Sequence, residues 1–289
     1  MRDDFAVMIL THGRADNIRT LKALKKGGYT GKIYIVIDNE DETADEYYKR
    51  FGDKVVMFDK IEAAKKYDAG ENFGNRCCIM YARNESFDIA KSLGLKYFMQ
   101  LDDDFNSFDL RYEEDGKLKG IPCRDLDRLF EGMVEFLETS GAITVALAQG
   151  GDMIGGLEGG NFKKGLIRKA MNTFFCSVDR KFDWFGTQNE DVSTYCLRGS
   201  RGELFLTVTH AMIIPVATQA GKGGMSETYL ENGTYLKSFY SVMYMPSAVK
   251  VGVMNTSHSR IHHKVSWENT APKILNEKYK KGANYGHDN

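Results

Sequence analysis

Three adjacent aspartates, Asp102, Asp103 and Asp104, end a strongly apolar run and are followed by Phe105. Neighbouring carboxylates repel one another unless a cation neutralises them. Hard oxygen ligands at i and i+2 suit Mg²⁺ or Mn²⁺, which makes Asp102 and Asp104 candidate metal ligands, with Asp103 in the same cofactor-binding group. A metal held there can bind a diphosphate and stabilise charge on a leaving nucleoside diphosphate. The alternative is a solvated acidic turn; the apolar run before the triplet and the phenylalanine after it favour a packed site.

Other groups could serve the same chemistry. On a helix expected over residues 74–93, Arg76 and Arg83 are seven apart and share a face with Ile79, Met80 and Phe87. Their anionic partners would be the aspartates or a donor's phosphates, unless the arginines reach the surface and form ordinary salt bridges. Downstream, Trp184, Phe185 and Gly186 precede Glu190 and Asp191. An aromatic face can stack on a sugar or base, and a carboxylate can take a proton from an attacking hydroxyl. Glu190 and Asp191 equally fit a helix start, where acidic residues meet the positive end of the dipole. Histidines cluster at His258, His262 and His263; His258, between two serines, is the candidate to complete a metal site, against the default of a surface histidine.

These residues must be positioned by an alternation of β-branched apolar runs and helical patterns, the mark of an α/β fold with a largely parallel sheet. Residues 5–11, 32–38, 55–58 and 96–101 read as strands. Helices are expected from a cap at Asp16 to Gly27, then over residues 43–51, 61–67, 74–93 and 126–137. A strand at 143–148 leads into a mobile glycine-rich loop at 150–160. Strand-like runs at 173–178 and 204–209, a helix starting near Glu190 and an irregular stretch from Asn255 make the second half mixed. Ligands of open α/β sheets sit beyond the carboxyl ends of the strands. Thr11, His12, Gly13 and Arg14, then Asp38, then the aspartate triplet should therefore converge on one crevice. Without repeats or a low-complexity linker, residues 1–289 read as one domain, with a donor-binding half at 1–150 and an acceptor-binding half at 151–289.

Composition narrows the partners. With 39 Lys plus Arg against 40 Asp plus Glu, the net charge of −1 provides no global field for nucleic acid, so DNA binding would need a local basic patch. Residues 163–181 and 273–281 are candidates, with a solvated surface as the alternative. The Gly221 to Gly224 stretch lacks the strand and spacing of a phosphate-binding loop and reads as a loop over substrate. The five cysteines show no C-x-x-C spacing and read as reduced structural thiols. No apolar run approaches the roughly 20 residues of a membrane helix, and the first residues lack a secretion signal, so the expectation is a cytoplasmic protein with no membrane partner.

A strand, Asp38, an arginine-bearing helix, an Asp-x-Asp motif and a downstream Glu-Asp pair together resemble GT-A glycosyltransferases. More narrowly, Thr11, His12, Gly13, Arg14, Ala15, Asp16 and Asn17 with Thr20, then Ala82, Arg83 and Asn84, then residues 93–104 ending in the triplet, resemble the TET-associated glycosyltransferases of bacteriophages. The likeness is close over residues 5–110 and looser beyond. It implies a GT-A-like, Rossmann-type nucleotide-sugar-binding sheet with a mixed acceptor half. It also implies a phage enzyme, in the cytoplasm of the infected host, that moves a sugar, typically glucose from UDP-glucose, onto 5-hydroxymethylpyrimidine in DNA, with 5-hydroxymethylcytosine the first acceptor to consider. By the same resemblance Thr11, Arg14 and Asp38 would hold the nucleoside, Arg83 the phosphates, and Asp102 and Asp104 the sugar nucleotide and metal; Asp191 would be the base in an inverting reaction.

Three other readings compete. A glycosyltransferase with a polysaccharide, protein or small-molecule acceptor would keep the same donor site. A nucleotidyltransferase would carry a glycine-rich basic loop after strand one, where this chain has His12, Gly13 and Arg14. A non-catalytic nucleotide-binding module would split no nucleotide sugar.

Overall fold

A computed structural model describes residues 1–70, 74, 76–216, 236–255 and 259–274. In chain order the strands are β1 (Phe5–Leu10), β2 (Lys32–Asp38), β3 (Val55–Phe58), β4 (Tyr97–Asp102), β5 (Phe105–Glu114), β6 (Lys117–Pro122), β7 (Thr144–Ala148), β8 (Leu166–Ile167), β9 (Thr173–Ser177), β10 (Phe205–Pro215), β11 (Val249–Asn255) and β12 (Ser259–Val265). The described helices are α1 (Arg19–Lys26), α2 (Ala44–Phe51), α3 (Lys60–Lys66), α4 (Met80–Ser92), α5 (Leu126–Ser140), α6 (Asn161–Lys164), α7 (Glu190–Gly199) and α8 (Leu236–Tyr244).

β1 is buried along its whole length, with β2 and β4 parallel on either side. Apolar clusters cover both of its faces, which is why six consecutive residues can all be apolar. The sheet runs β3-β2-β1-β4-β9-β7-β10-β5-β6, with β8 on β10. It is parallel from β3 to β4 and mixed beyond, where β9 lies antiparallel to both β4 and β7. Strands from before and after residue 150 thus interleave. One face packs Phe5, Val7, Ile9, Met99 and Leu101 against Phe130 and Val134 of α5. The other packs Ala6, Met8 and Phe98 against Phe87 of α4 and Val192 of α7.

Several expected elements have different bounds. The helix expected from residue 74 starts at Met80, because Gly74 takes a left-handed φ of 71° and the chain turns through Cys77 and Cys78 before helical bonding begins. α1 starts at Arg19 without a side-chain cap, since the segment from Thr11 onward is held open by hydrogen bonds to Asp41 and to Tyr47 of α2. The glycine-rich loop opens with a tight turn, Gly150–Met153, closed by reciprocal Gln149 and Asp152 hydrogen bonds. β10 continues past 209 through a register break between Val208 and Met212. The stretch from Asn255 is not irregular throughout: β12 pairs in register with β11. The β5–β6 hairpin was unforeseen, although Asp115 and Gly116 at its turn both adopt positive φ, the conformation an Asp-Gly hairpin turn requires. Apart from buried Phe105 and Phe108, its strands lack the apolar runs by which strands are usually recognised.

Candidate active site

Register gathers the first group of polar side chains. Leu10 pairs with Val36 on one side and Asp102 on the other, so His12 comes level with Asp38 and Thr11 with Asp103. Asp38 pairs in turn with Phe58, which brings Lys60 alongside it. His12 Nδ1 lies 2.8 Å from Asp38 Oδ2, and Lys60 Nζ donates to the same oxygen at 3.2 Å. Burial pushes the Asp38 carboxyl up, but the His12 hydrogen bond and Lys60 outweigh it and hold the group below its ordinary value. His12 is raised in return by that hydrogen bond, against its own partial burial. The backbone N–H of Gly13 donates to buried Asp41 at 2.7 Å.

Alternation along β4 divides the triplet. Side chains on a strand point to opposite faces in turn, and this carries one residue past the strand. Asp103 turns to the α5 face, where Thr11 Oγ1 donates to it at 2.6 Å and Arg14 Nη1 at 2.8 Å. The Tyr47 hydroxyl, 3.1 Å from Thr11 Oγ1, accepts from the Arg14 backbone N–H at 2.8 Å and completes the relay. Asp103, expected in the cofactor-binding group, is tied within the fold to Thr11 and Arg14. Asp102 turns to the opposite face, where Arg83 Nη2 donates to it at 3.2 Å. Buried Thr20 holds the turn between β4 and β5: its hydroxyl donates to Asp102 O at 2.6 Å and accepts from Phe105 N–H at 3.0 Å, and its own N–H donates to Asp103 O at 3.2 Å.

Arg83 joins the triplet to the second half. Its Nε is 3.1 Å from Glu190 Oε1, in the first turn of α7, and its guanidinium lies over Phe174 at 4.5 Å. Its side chain is only 3% exposed. Gln100 Nε2 donates to the Arg83 carbonyl at 2.7 Å and fixes α4 against β4. Nη1 of Arg83 is buried with no hydrogen-bond partner among the described residues. Burial pushes the Asp102 carboxyl up to about 7, with Arg83 opposing and Asp104 and Glu190 adding to the rise. Asp104 is raised by burial and by Asp103. The neighbouring Glu190 and Asp191 are both raised by burial, with Arg83 opposing, so this pair holds protons more readily than exposed carboxylates.

Asn189, at a left-handed φ of 53°, precedes α7. Its Nδ2 reaches Lys237 O at 3.0 Å and His263 Nδ1 at 3.1 Å. Burial lowers His263 to about 3, so it is neutral, and an acceptor Nδ1 leaves its proton on Nε2. His258, the expected metal ligand, lies outside the described residues, as does the Gly221 to Gly224 stretch. Among the described residues no three His, Cys, Asp or Glu side chains cluster as a metal site.

Two expectations need correcting. Arg76 precedes α4 and cannot share a helix face with Arg83; it pairs with Glu40 at 2.9 Å, beside the end of β2. Trp184 offers no stacking surface: it is fully buried against Phe174, Phe182 and Phe205, with its backbone bonded to Asn84. A large aromatic gains about 2–3 kcal/mol from such burial, and that outweighs presenting a ring to solvent. Tyr47, Lys60, Asp41 and Thr20 were given no role by the sequence reading. Only Thr20 carried a signal, its place in the motif after Thr11 and Arg14. The buried charges of Asp41 and Lys60 become informative once β2 and β3 are seen side by side.

No helix of the described residues is long and apolar enough to cross a membrane. Residues 5–224 match the model of a family described as TET-Associated Glycosyltransferase. The chain is also 28% identical over 110 residues to the uncharacterized glycosyltransferase R139 of Acanthamoeba polyphaga mimivirus, a match covering 35% of this chain and 44% of that protein. The chain thus spans less than half the length of that curated relative. With buried Arg83 joining the strand-end Asp102 to Glu190 at the start of α7, and a family match over most of its length, the chain belongs to the TET-associated glycosyltransferases.

Proposed function

We propose that the protein transfers a hexose, glucose in the first instance, from a UDP-sugar to the hydroxymethyl oxygen of 5-hydroxymethylcytosine or a related 5-hydroxymethylpyrimidine in DNA. The observation that carries this reading is Arg83, buried between Asp102 and Glu190 with an N–H donor that has no partner among the described residues. It makes one site of a strand-end carboxylate and a helix-start carboxylate, joined by a cation whose remaining N–H can turn to a diphosphate oxygen.

In this reading the nucleoside lies over Thr11, Arg14 and Asp38 at the ends of β1 and β2, with Arg76 at the rim beside Glu40. Asp102 and Asp104 present hard oxygen donors at i and i+2; burial raises both carboxyls and neighbouring carboxylates add to the rise, with Arg83 opposing it at Asp102 and Arg14 at Asp104. Magnesium sites commonly use one or two carboxylates together with substrate phosphates, so this pair fits Mn²⁺ or Mg²⁺ without a protein cluster of three ligands. Such an ion would neutralise charge on the departing diphosphate. Asp191 takes the proton of the attacking hydroxyl, the new bond forms from that oxygen to the anomeric carbon, and the bond from that carbon to the diphosphate oxygen breaks to release UDP. The neighbouring Glu190 holds Arg83 in place.

Release of UDP from UDP-glucose, with Mn²⁺ or Mg²⁺ and with or without hydroxymethylcytosine-containing DNA, tests the reading when followed by mass analysis of the nucleosides. A hexose on the modified base is expected. UDP release indifferent to DNA would return the acceptor to a polysaccharide, protein or small molecule, and no release from any nucleotide sugar would overturn the enzyme reading.

A further inference from the structure

We propose that the outward face of the β11–β12 hairpin is a landing surface for the phosphate backbone of duplex DNA, with Lys250 and Lys264 as its phosphate contacts. The proposal rests on DNA as the acceptor and names the part of the chain that would hold it.

Register puts the two lysines directly opposite one another: Lys250 pairs with Lys264, and Gly252 with His262. Like charges facing each other across a strand pair are destabilising, so an anion between them removes a penalty built into the hairpin. A Cβ on Gly252 would lie 2.7 Å from Lys264 Cε, so the lysine stem crosses the bare glycine backbone. Both lysines are exposed, and among the described residues neither has an ion pair. Residues 236–266 contain Lys237, Lys250, Arg260 and Lys264 but no aspartate or glutamate.

The basic stretch at 163–181 behaves differently. Lys163 faces Glu158 at 3.9 Å, Lys169 is paired with Asp152, Lys181 is 2.9 Å from Asp88, and Arg180 donates to the carbonyls of Ala142 and Leu137. Apart from exposed Lys164, the charge of this stretch is engaged within the fold. The hairpin's inner face, by contrast, anchors it to the crevice: Val249 is buried, and His263 meets Asn189 immediately before Glu190. A duplex on the outer face would lie alongside the site that modifies it.

The test is fluorescence anisotropy of a labelled, unmodified duplex across a NaCl series, with intact protein and the Lys250→Gln/Lys264→Gln variant. Two lost phosphate contacts should reduce the slope of log K against log salt by about 1.8. UDP release without DNA should stay at its wild-type rate, which shows that the variant is folded. Wild-type protein that binds no duplex, a variant with an unchanged slope, or wild-type protein that prefers a sulfated polysaccharide to DNA would overturn the proposal. Hexose transfer to hydroxymethylated DNA is scored separately. A hairpin-dependent slope without transfer supports the surface while removing DNA as acceptor; transfer with an unchanged slope does the reverse.

Discussion

At the ends of β1, β2 and β3, charged side chains meet opposite charges one register step away. Around the start of α7, several buried polar atoms have no hydrogen-bond partner among the described residues. His12 and Lys60 converge on Asp38, and Arg14 and Thr11 on Asp103. On the other side Arg83 Nη1, Trp184 Nε1, Gln188 Oε1, Ser193 Oγ and Ser238 Oγ have no hydrogen-bond partner among the described residues. An unsatisfied buried group costs about 1–3 kcal/mol. The ends of β1, β2 and β3 are therefore internally satisfied, whereas the region around α7 keeps buried polarity that the described residues leave unpaired.

Substitutions can break or sharpen that contrast. Arg83→Met should have the largest effect, because it leaves half-buried Asp102 and buried Glu190 without their cation. Urea unfolding should show a loss of about 3–5 kcal/mol, and a loss below 1 kcal/mol would mean that the bridge is not structural. Asp191→Ala should cut transfer at least about 100-fold while UDP-sugar affinity by calorimetry holds. Weakened donor affinity at an unchanged turnover would move Asp191 to the donor end. Thr20→Val should lower stability by about 1–3 kcal/mol and slow turnover more than it raises KM, with Thr20→Ser restoring both; equal effects of the two variants would make Thr20 a packing residue.

The smallest effect belongs to His12. Its pKa is raised by Asp38, so the pair's stabilisation is present below the imidazole's unfolded value near 6.5 and is lost as pH rises through the higher folded value. Asp38 is lowered, so its contribution falls away only in acid, as pH drops through its depressed folded value. His12 is about half exposed, with a side-chain exposure of 45%, so solvent screening keeps the pair below about 1 kcal/mol. His12→Ala should lower unfolding free energy more at pH 6 than at pH 8.5, and equal losses at both would dissolve the pair.

What could be read from residues alone was local. The apolar runs of β1, β2, β3 and β4, the aspartates at a strand end and the acidic start of α7 follow from periodicity and from where open sheets bind ligands. The β5–β6 hairpin was also legible through Asp115 and Gly116, though its polar strands hid it. Non-local pairing decided the rest. That Asp103 faces Thr11 while Asp102 faces Arg83 depends on the β1–β4 register, since a shift of one residue would exchange their faces. That Arg76 leaves the arginine stripe depends on where α4 begins. Trp184 entered the core because three phenylalanines from different strands and loops closed around it. Residue types and spacing thus fixed which groups could do chemistry, and the tertiary structure, by setting register and burial across distant segments, decided which of them meet.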